Sequence, residues 1–344
     1  MKLLKTIAAC MTFAPLALAA SGALAEDAKL PDLKGKKLVV YVTFHENEGK
    51  ALLEGFKKHT NVDYSFLRIS AGETVARIQA EKGAPQADIM LGGGAENHEV
   101  LKAAGLLEQY KSPVAADIPA YYQDPDGYWA AFYVGPSSIG INKDYWDKDF
   151  APKGLALPKT YEDLLNPAFK GEIVMPDPAT SGSAYTLLAG IIQVQGEEKA
   201  FEFFKKLRPQ VAQYTSSGNK PAQMVGSGEY LIGLNFIHDQ LLVKKNGMPM
   251  LSIVPEGAAW EIGAISVIKG GPNTESAKAF VDYVLGKEAG DIHSSMTQRL
   301  STRSDVPVPE GATPLDQLPI NKDFSFAKAA EGRADFVKKW KALD

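Results

Sequence analysis

The residues best suited to chemistry fall into two sets. His238-Asp239 and Glu261, with His45-Glu46 far upstream, combine imidazole and carboxylate groups. Such groups receive the hydroxyls of a polar ligand or, as His45, Glu46, His238 and Asp239 together, hold a metal. Trp260 or Phe44 supplies an apolar wall on which a sugar face packs. The second set is rich in hydroxyls and glycine: Thr43 before His45, Ser70-Ala71-Gly72-Glu73-Thr74, Gly92-Gly93-Gly94, and Thr180-Ser181-Gly182-Ser183. Each lies where a strand gives way to a helix, and helix starts present unpaired N–H groups and a partial positive charge. Thr43, Ser70, Gly72, Gly93 and the 180–183 run are therefore candidate contacts for a phosphate or carboxylate. A plainer reading stands beside each. Ser70 and Ser181 serve as N-caps, worth about 1 kcal/mol each; Asp239 caps a helix over 240–245; His238 is a satisfied core histidine; Glu261 forms an ion pair at a crossover. Arg77, Arg299 and Arg303 suit bidentate anion contact but are equally ordinary surface arginines.

No enzyme signature accompanies these residues. The chain has no G-x-S-x-G elbow, H-E-x-x-H pair or P-loop, and its one cysteine, Cys10, lies in the N-terminal apolar run. His238 and Asp239 are adjacent, so on a strand their side chains diverge rather than form a relay. The expectation is a protein that is not an enzyme and uses no cofactor.

The elements that position these loops alternate. Short apolar runs at 38–42, 63–69 and 87–91 read as strands, separated by helical patterns at 49–59, 74–82 and 96–104. This β-α-β order predicts a parallel sheet with helices on its faces. Two strands at 128–134 and 138–142, broken by Gly135-Pro136, then read as a crossover. A short helix over 160–165, strands at 172–175, 210–214 and 231–236, and helices at 183–195, 197–207 and 221–226 form a second α/β unit. Strands at 251–254 and 263–268 bracket a return, followed by helices at 276–285, 288–298 and 324–343. The expected architecture is thus two lobes: 26–134 with 262–312 returning to it, and 135–261 with the helices of 313–344 packing back on it. Ligands of open α/β sheets bind beyond the carboxyl ends of strands, so two facing lobes make a cleft.

The N-terminal residues lead to the expectation of export. Lys2 and Lys5, an apolar run from Ile7 to Ala19, and Ala23-Leu24-Ala25 have the layout of a cleaved signal peptide over residues 1–25. The run is shorter than the ~20 residues a spanning helix needs. Without Lys2 and Lys5, 35 of the 37 basic residues remain against 41 acidic ones. A mildly acidic chain without basic blocks carries no footprint for nucleic acid. A periplasmic monomer is expected.

Several segments resemble the type II periplasmic binding proteins, in the subgroup of ferric-ion, thiamine, phosphonate and sugar-phosphate receptors. They are Leu38-Val-Val-Tyr-Val-Thr-Phe-His45, Ala87-Asp-Ile-Met-Leu-Gly-Gly93, Asp126-Gly-Tyr-Trp129 leading to Ile139-Gly-Ile-Asn142, Phe169 to Pro178 followed by Thr180-Ser-Gly-Ser183, and Arg303-Ser-Asp-Val-Pro307. The resemblance implies a substrate receptor that delivers a small anionic ligand to the inner-membrane permease of an ABC importer. Ferric receptors of this subgroup use a histidine and a carboxylate from lobe one and consecutive tyrosines from lobe two. His45 matches the histidine. The lobe-two segment reads Asn235-Phe236-Ile237-His238-Asp239, without tyrosine; the carboxylate position falls near Gly92-Gly93-Gly94, close to Glu96; and Tyr121-Tyr122 lies at the wrong place in the chain. The His-Asp pair with Glu261 is closer to the hexose-phosphate receptors. In that reading Ser, Thr and Gly amides hold phosphate while His238, Asp239 and Glu261 take ring hydroxyls. An aminoalkylphosphonate fits similarly, its ammonium facing the acidic groups.

Overall fold

The structure is a computed structural model that describes residues 29–343. The signal-peptide assignment for residues 1–25 lies outside the described residues. Among those described, no helix is long and apolar enough to cross a membrane.

The first half follows the alternation in its sequence. β1 (Lys37–Val42), α1 (Glu46–Thr60), β2 (Asp63–Arg68), α2 (Ala71–Ala80), β3 (Ile89–Gly94) and α3 (Ala95–Ala103) build a parallel sheet in the order β2-β1-β3, and a short β4 (Leu107–Glu108) follows. β5 (Ala130–Asn142) then leaves this sheet. The second half contains α4 (Lys143–Asp149), β6 (Ile173–Pro176), α5 (Gly182–Gln195), α6 (Glu197–Leu207), β7 (Val211–Thr215), α7 (Lys220–Gly226), β8 (Ile232–Phe236), α8 (Ile237–Lys245) and β9 (Met250–Ile253). β10 (Trp260–Ile268) returns to pair antiparallel with β3. After it come α9 (Thr274–Val284), α10 (Lys287–Thr297), β11 (Leu300–Ser301) and α11 (Phe326–Lys341).

Three boundaries differ from the expected ones for physical reasons. Gly135-Pro136 does not break the chain: β5 is one strand of 13 residues, all buried. Its first part pairs with β10 and its second with β8 and β9. Pro136 stands opposite Trp260, the first residue of β10, where the strand changes partners and the missing proline N–H is not needed. Second, α8 begins at Ile237 with Phe236 as its N-cap, so Asp239 is in the first helical turn and caps nothing. The third is the short helix expected over 160–165, which is a 3₁₀ turn at Glu162–Leu165.

Each half has its own apolar core. Leu38, Val40, Phe56 and Phe280 centre one; Ile139, Phe169, Leu188 and Phe204 centre the other. The C-terminal helix spans both. Phe336 meets Tyr185 edge-on at 5.2 Å between centroids, and Trp340 lies against Phe204. Arg333 of the same helix reaches the first half, where its Nη1 donates to Asn97 Oδ1 at 2.8 Å.

Candidate functional site

Six helices begin at the cleft between the halves. The N-caps of α1, α2 and α3 (His45, Ser70, Gly94) form one wall, and those of α5, α7 and α8 (Ser181, Asn219, Phe236) form the other. The cleft holds about 470 Å³ of unfilled space, part of it open to solvent. Its shape on the first wall depends on Gly92 and Gly93, both in the left-handed region at φ 86° and 82°. A side chain at Gly92 would come within 2.3 Å of the Phe44 ring. Behind this turn His98 is fully buried, with Nε2 on Gly92 O at 3.1 Å and Nδ1 on Ser266 Oγ at 2.8 Å. Burial pushes its pKa down to about 4, so the imidazole is neutral and fixes the turn as a donor.

One end of the cleft is built of hydroxyls and small residues. Thr43, Ser70, Ala71 and Gly93 face Ser181, Gly182, Ser183 and Gly218. Ser181 and Ser183 hydroxyls lie 2.9 Å apart, and Ser70 Oγ donates to Thr180 O across the cleft at 3.2 Å. Gly72 and Thr180 do not line the cavity; they meet each other behind it, where a side chain at Gly72 would come within 2.4 Å of Thr180 O. The remaining candidates of this set, Thr43, Ser70, Gly93, Ser181, Gly182 and Ser183, all line the space.

The other end is ionisable. His45 Nε2 lies 2.9 Å from Asp239 Oδ1 across the cleft, and Asn235 Nδ2 donates to Asp239 Oδ2 at 3.3 Å. Burial opposes ionisation of Asp239, but the neighbouring His238, the hydrogen bond with His45 and the charge of Arg299 outweigh it and hold the carboxyl well below its usual range. Arg299 forms the floor. Its Nε donates to Glu48 at 3.2 Å, its Nη1 to His238 Nε2 at 2.8 Å, and Glu261 lies 3.5 Å from Nη1. The guanidinium stacks 4.1 Å from the centroid of Tyr133 and 5.3 Å from that of Phe44. Burial and the adjacent Arg299 push His238 well below the ordinary imidazole range, so its Nε2 is an acceptor. Glu261 is driven the opposite way, well above the carboxylate range, by burial first and then by Glu96, Asp239 and Glu48.

Several expectations are corrected. Trp260 does not face a ligand: it is 1 % exposed, its indole N–H donates to Asn321 O, and its ring packs on Tyr121, Tyr122 and Phe326. Glu46 is exposed at the start of α1, two residues before the buried Glu48 that does reach the floor. His45, Glu46, His238 and Asp239 are not assembled as a metal site; the Arg299 cation occupies His238 Nε2, and among the described residues no group of three or more His, Cys, Asp or Glu is placed to hold a metal ion. Arg77 pairs with Glu81 at the surface, and Arg303 with Asp117 and Asp305. Arg299 alone of the three is in the cleft.

Sequence reasoning missed Arg68, Tyr133 and Asn219, which also line the space. Asn219 follows Ser216-Ser217-Gly218 just before Pro221, a helix-start pattern like the 180–183 run. Arg68 ends β2 and so points at the same end of the sheet as Thr43 and Gly93. No signal in the chain singles out Tyr133.

Residues 84–331 match the family described as bacterial extracellular solute-binding protein. The chain belongs to that family. It is a periplasmic solute receptor of the ABC-importer kind, not an enzyme. The periplasmic binding protein AfuA from Actinobacillus pleuropneumoniae, solved with exogenous fructose-6-phosphate bound, superposes with a TM-score of 0.86 at 34% identity, covering 90% of this chain and 99% of that one. An uncharacterised protein of Haemophilus influenzae is 35% identical over 88% of this receptor and 89% of its own length. Iron-bound HitA from Pseudomonas aeruginosa shares the fold, with a TM-score of 0.77 at 19% identity, covering 89% of this chain and 99% of that one.

Proposed function

We propose that this receptor captures a small phosphorylated sugar, a hexose phosphate in particular, and hands it to the permease of its importer. The observation that carries the reading is the division of the cleft. Six helix starts converge on it, and such ends favour an anion through their unpaired N–H groups and dipoles. Thr43, Ser70, Gly93, Ser181, Gly182 and Ser183 take the phosphate, with Arg68 as the nearby cation. His45, His238, Asp239 and Glu261 take ring hydroxyls at the other end, where carboxylates are kept from repelling the dianion. AfuA, solved with fructose-6-phosphate, is a relative at 34% identity and supports the same choice.

The reading includes the limits of the two lobes, 26–134 with 262–312 and 135–261 with 313–344, cleavage after Ala25, and action as a monomer. A ferric ligand is disfavoured by the chemistry of the wall. The tyrosine that lines the cleft, Tyr133, has its phenol raised well above the ordinary range by burial and by Glu261, opposite to what a phenolate ligand needs. The test is isothermal titration of the mature chain with fructose 6-phosphate, glucose 6-phosphate, 2-aminoethylphosphonate and ferric citrate. Saturable binding of a hexose phosphate is expected; binding of ferric ion with tyrosinate absorbance and no response to sugar phosphates would overturn the reading.

A further inference from the structure

A chain of hydrogen bonds with one polarity runs back and forth across the cleft. Arg68 Nε is fixed on Phe44 O at 2.9 Å, and its Nη2 donates to Ser217 Oγ on the facing wall at 2.8 Å. Ser217 Oγ donates to Asn219 Oδ1 at 2.6 Å. With its oxygen so engaged, Asn219 turns its amide N–H toward His45 Nδ1, at 3.1 Å, back on the first wall. Arg68 can only donate, and with the Asn219 oxygen on the Ser217 hydroxyl the Asn219 nitrogen can only donate to His45. His45 Nδ1 is an acceptor, its proton sits on Nε2, and Nε2–H points at Asp239 Oδ1. Asp239 is itself oriented by Asn235, whose oxygen accepts from Gln240 at 3.0 Å.

We infer that Ser217 and Asn219 are positioning residues which lock His45 as an Nε2–H donor beside the Asp239 acceptor, so that this edge of the cleft selects a ligand hydroxyl over a ligand ammonium. A hydroxyl entering the edge accepts from Nε2–H and donates to the carboxylate, satisfying both. An ammonium only donates; it meets the carboxylate but leaves Nε2–H facing another donor in a partly buried site, which costs affinity. The selection separates sugar phosphates from aminoalkylphosphonates, two ligand types that the phosphate end alone does not distinguish. It rests on the sugar-phosphate reading above. The other titratable and charged groups around His45 are the neutral His238 and the cation Arg299 from the facing elements and floor, Arg68 at the end of β2, and Glu46 and Glu48 on its own helix.

The test is Asn219→Asp, which preserves an N-cap residue for α7 and the acceptor for Ser217 but removes the donor to His45. His45 imidazole nitrogens are followed by ¹⁵N NMR, assigned with His45→Gln, in the free protein and with fructose 6-phosphate or 2-aminoethylphosphonate added; affinities come from titration calorimetry. The wild type is expected to show Nε2 protonated and Nδ1 as the acceptor, and to prefer fructose 6-phosphate by roughly tenfold or more. In Asn219→Asp the protonation midpoint of His45 moves up by about one pH unit or more, because a carboxylate now faces Nδ1, and the preference narrows. A midpoint unmoved in all three conditions overturns the proposal, as does a wild type that binds 2-aminoethylphosphonate as tightly as the sugar phosphate. If the midpoint moves but neither compound binds, the locked tautomer stands and the sugar-phosphate reading falls.

Discussion

Arg299 is the cation of the cleft floor, with Glu48 and Glu261 both buried within reach of its guanidinium. Arg299→Met leaves two buried carboxyls without their cation, and breaking a buried pair in this way costs about 3–5 kcal/mol. Urea denaturation is expected to show that loss, with part of it recovered in Arg299→Met/Glu48→Gln; an unchanged midpoint would mean the charges are solvated. His293 offers a pH experiment. It is fully buried against Phe132 and Tyr133, and burial lowers its pKa to about 3. Its folded pKa lies below the unfolded value near 6.5, so unfolding takes up a proton between these limits. Stability from this group is present above pH 6.5 and lost as pH falls toward 3, by up to about 1.4 kcal/mol per pH unit. His293→Phe is expected to flatten the fall relative to wild type in that window, measured as the difference in unfolding free energy at pH 7 and pH 5. Equal slopes in both proteins would refute it.

At the scale of elements, α2 links local stability to the cleft. Ser70 and Glu73 form a capping box, and the Ser70 hydroxyl also reaches Thr180 O across the gap. Ser70→Ala is expected to lose about 1 kcal/mol of stability and to weaken sugar-phosphate affinity; Ser70→Asp restores the cap but places a negative charge against the phosphate. Recovery of stability without recovery of affinity is the diagnostic pattern in calorimetry. These helix starts were legible in the sequence because Ser, Gly and Thr before a helical pattern have a local cause. The register of hydroxyls on both walls was readable for the same reason. Trp260 was misread because a tryptophan next to a cleft glutamate shows nothing of its orientation: alternation along β10 sends Glu261 to the cleft and Trp260 into the core. The N-cap alternative for Asp239 fails because the helix starts three residues earlier than its pattern suggests. Arg68 and Asn219 acquire their places only when two distant segments meet, which no local pattern encodes.

Over the whole molecule, α11 ties the last residues of the chain to both halves. Phe336 and Trp340 anchor it on the second half, while Arg333 inserts among Asn97, Tyr185 and the buried Glu96 of the first and second walls. Arg333→Met is expected to destabilise the protein by about 3–5 kcal/mol, since burial already raises the Glu96 carboxyl and the arginine charge is what opposes that rise. Adding Glu96→Gln should restore much of the loss in a double-mutant cycle; strictly additive effects would show that the two groups do not interact.

The unbroken β5 has a mechanical consequence. Its first residues are stitched into one sheet and its last into the other, with no loop between them. The two halves therefore share a rod, and any opening of the cleft must be stored as torsion along that rod and its neighbour β10. Such a joint resists stretching and sideways slip while yielding to twist. Cutting the chain at residue 135 would not release a free lobe from either side; it would remove a central strand from both.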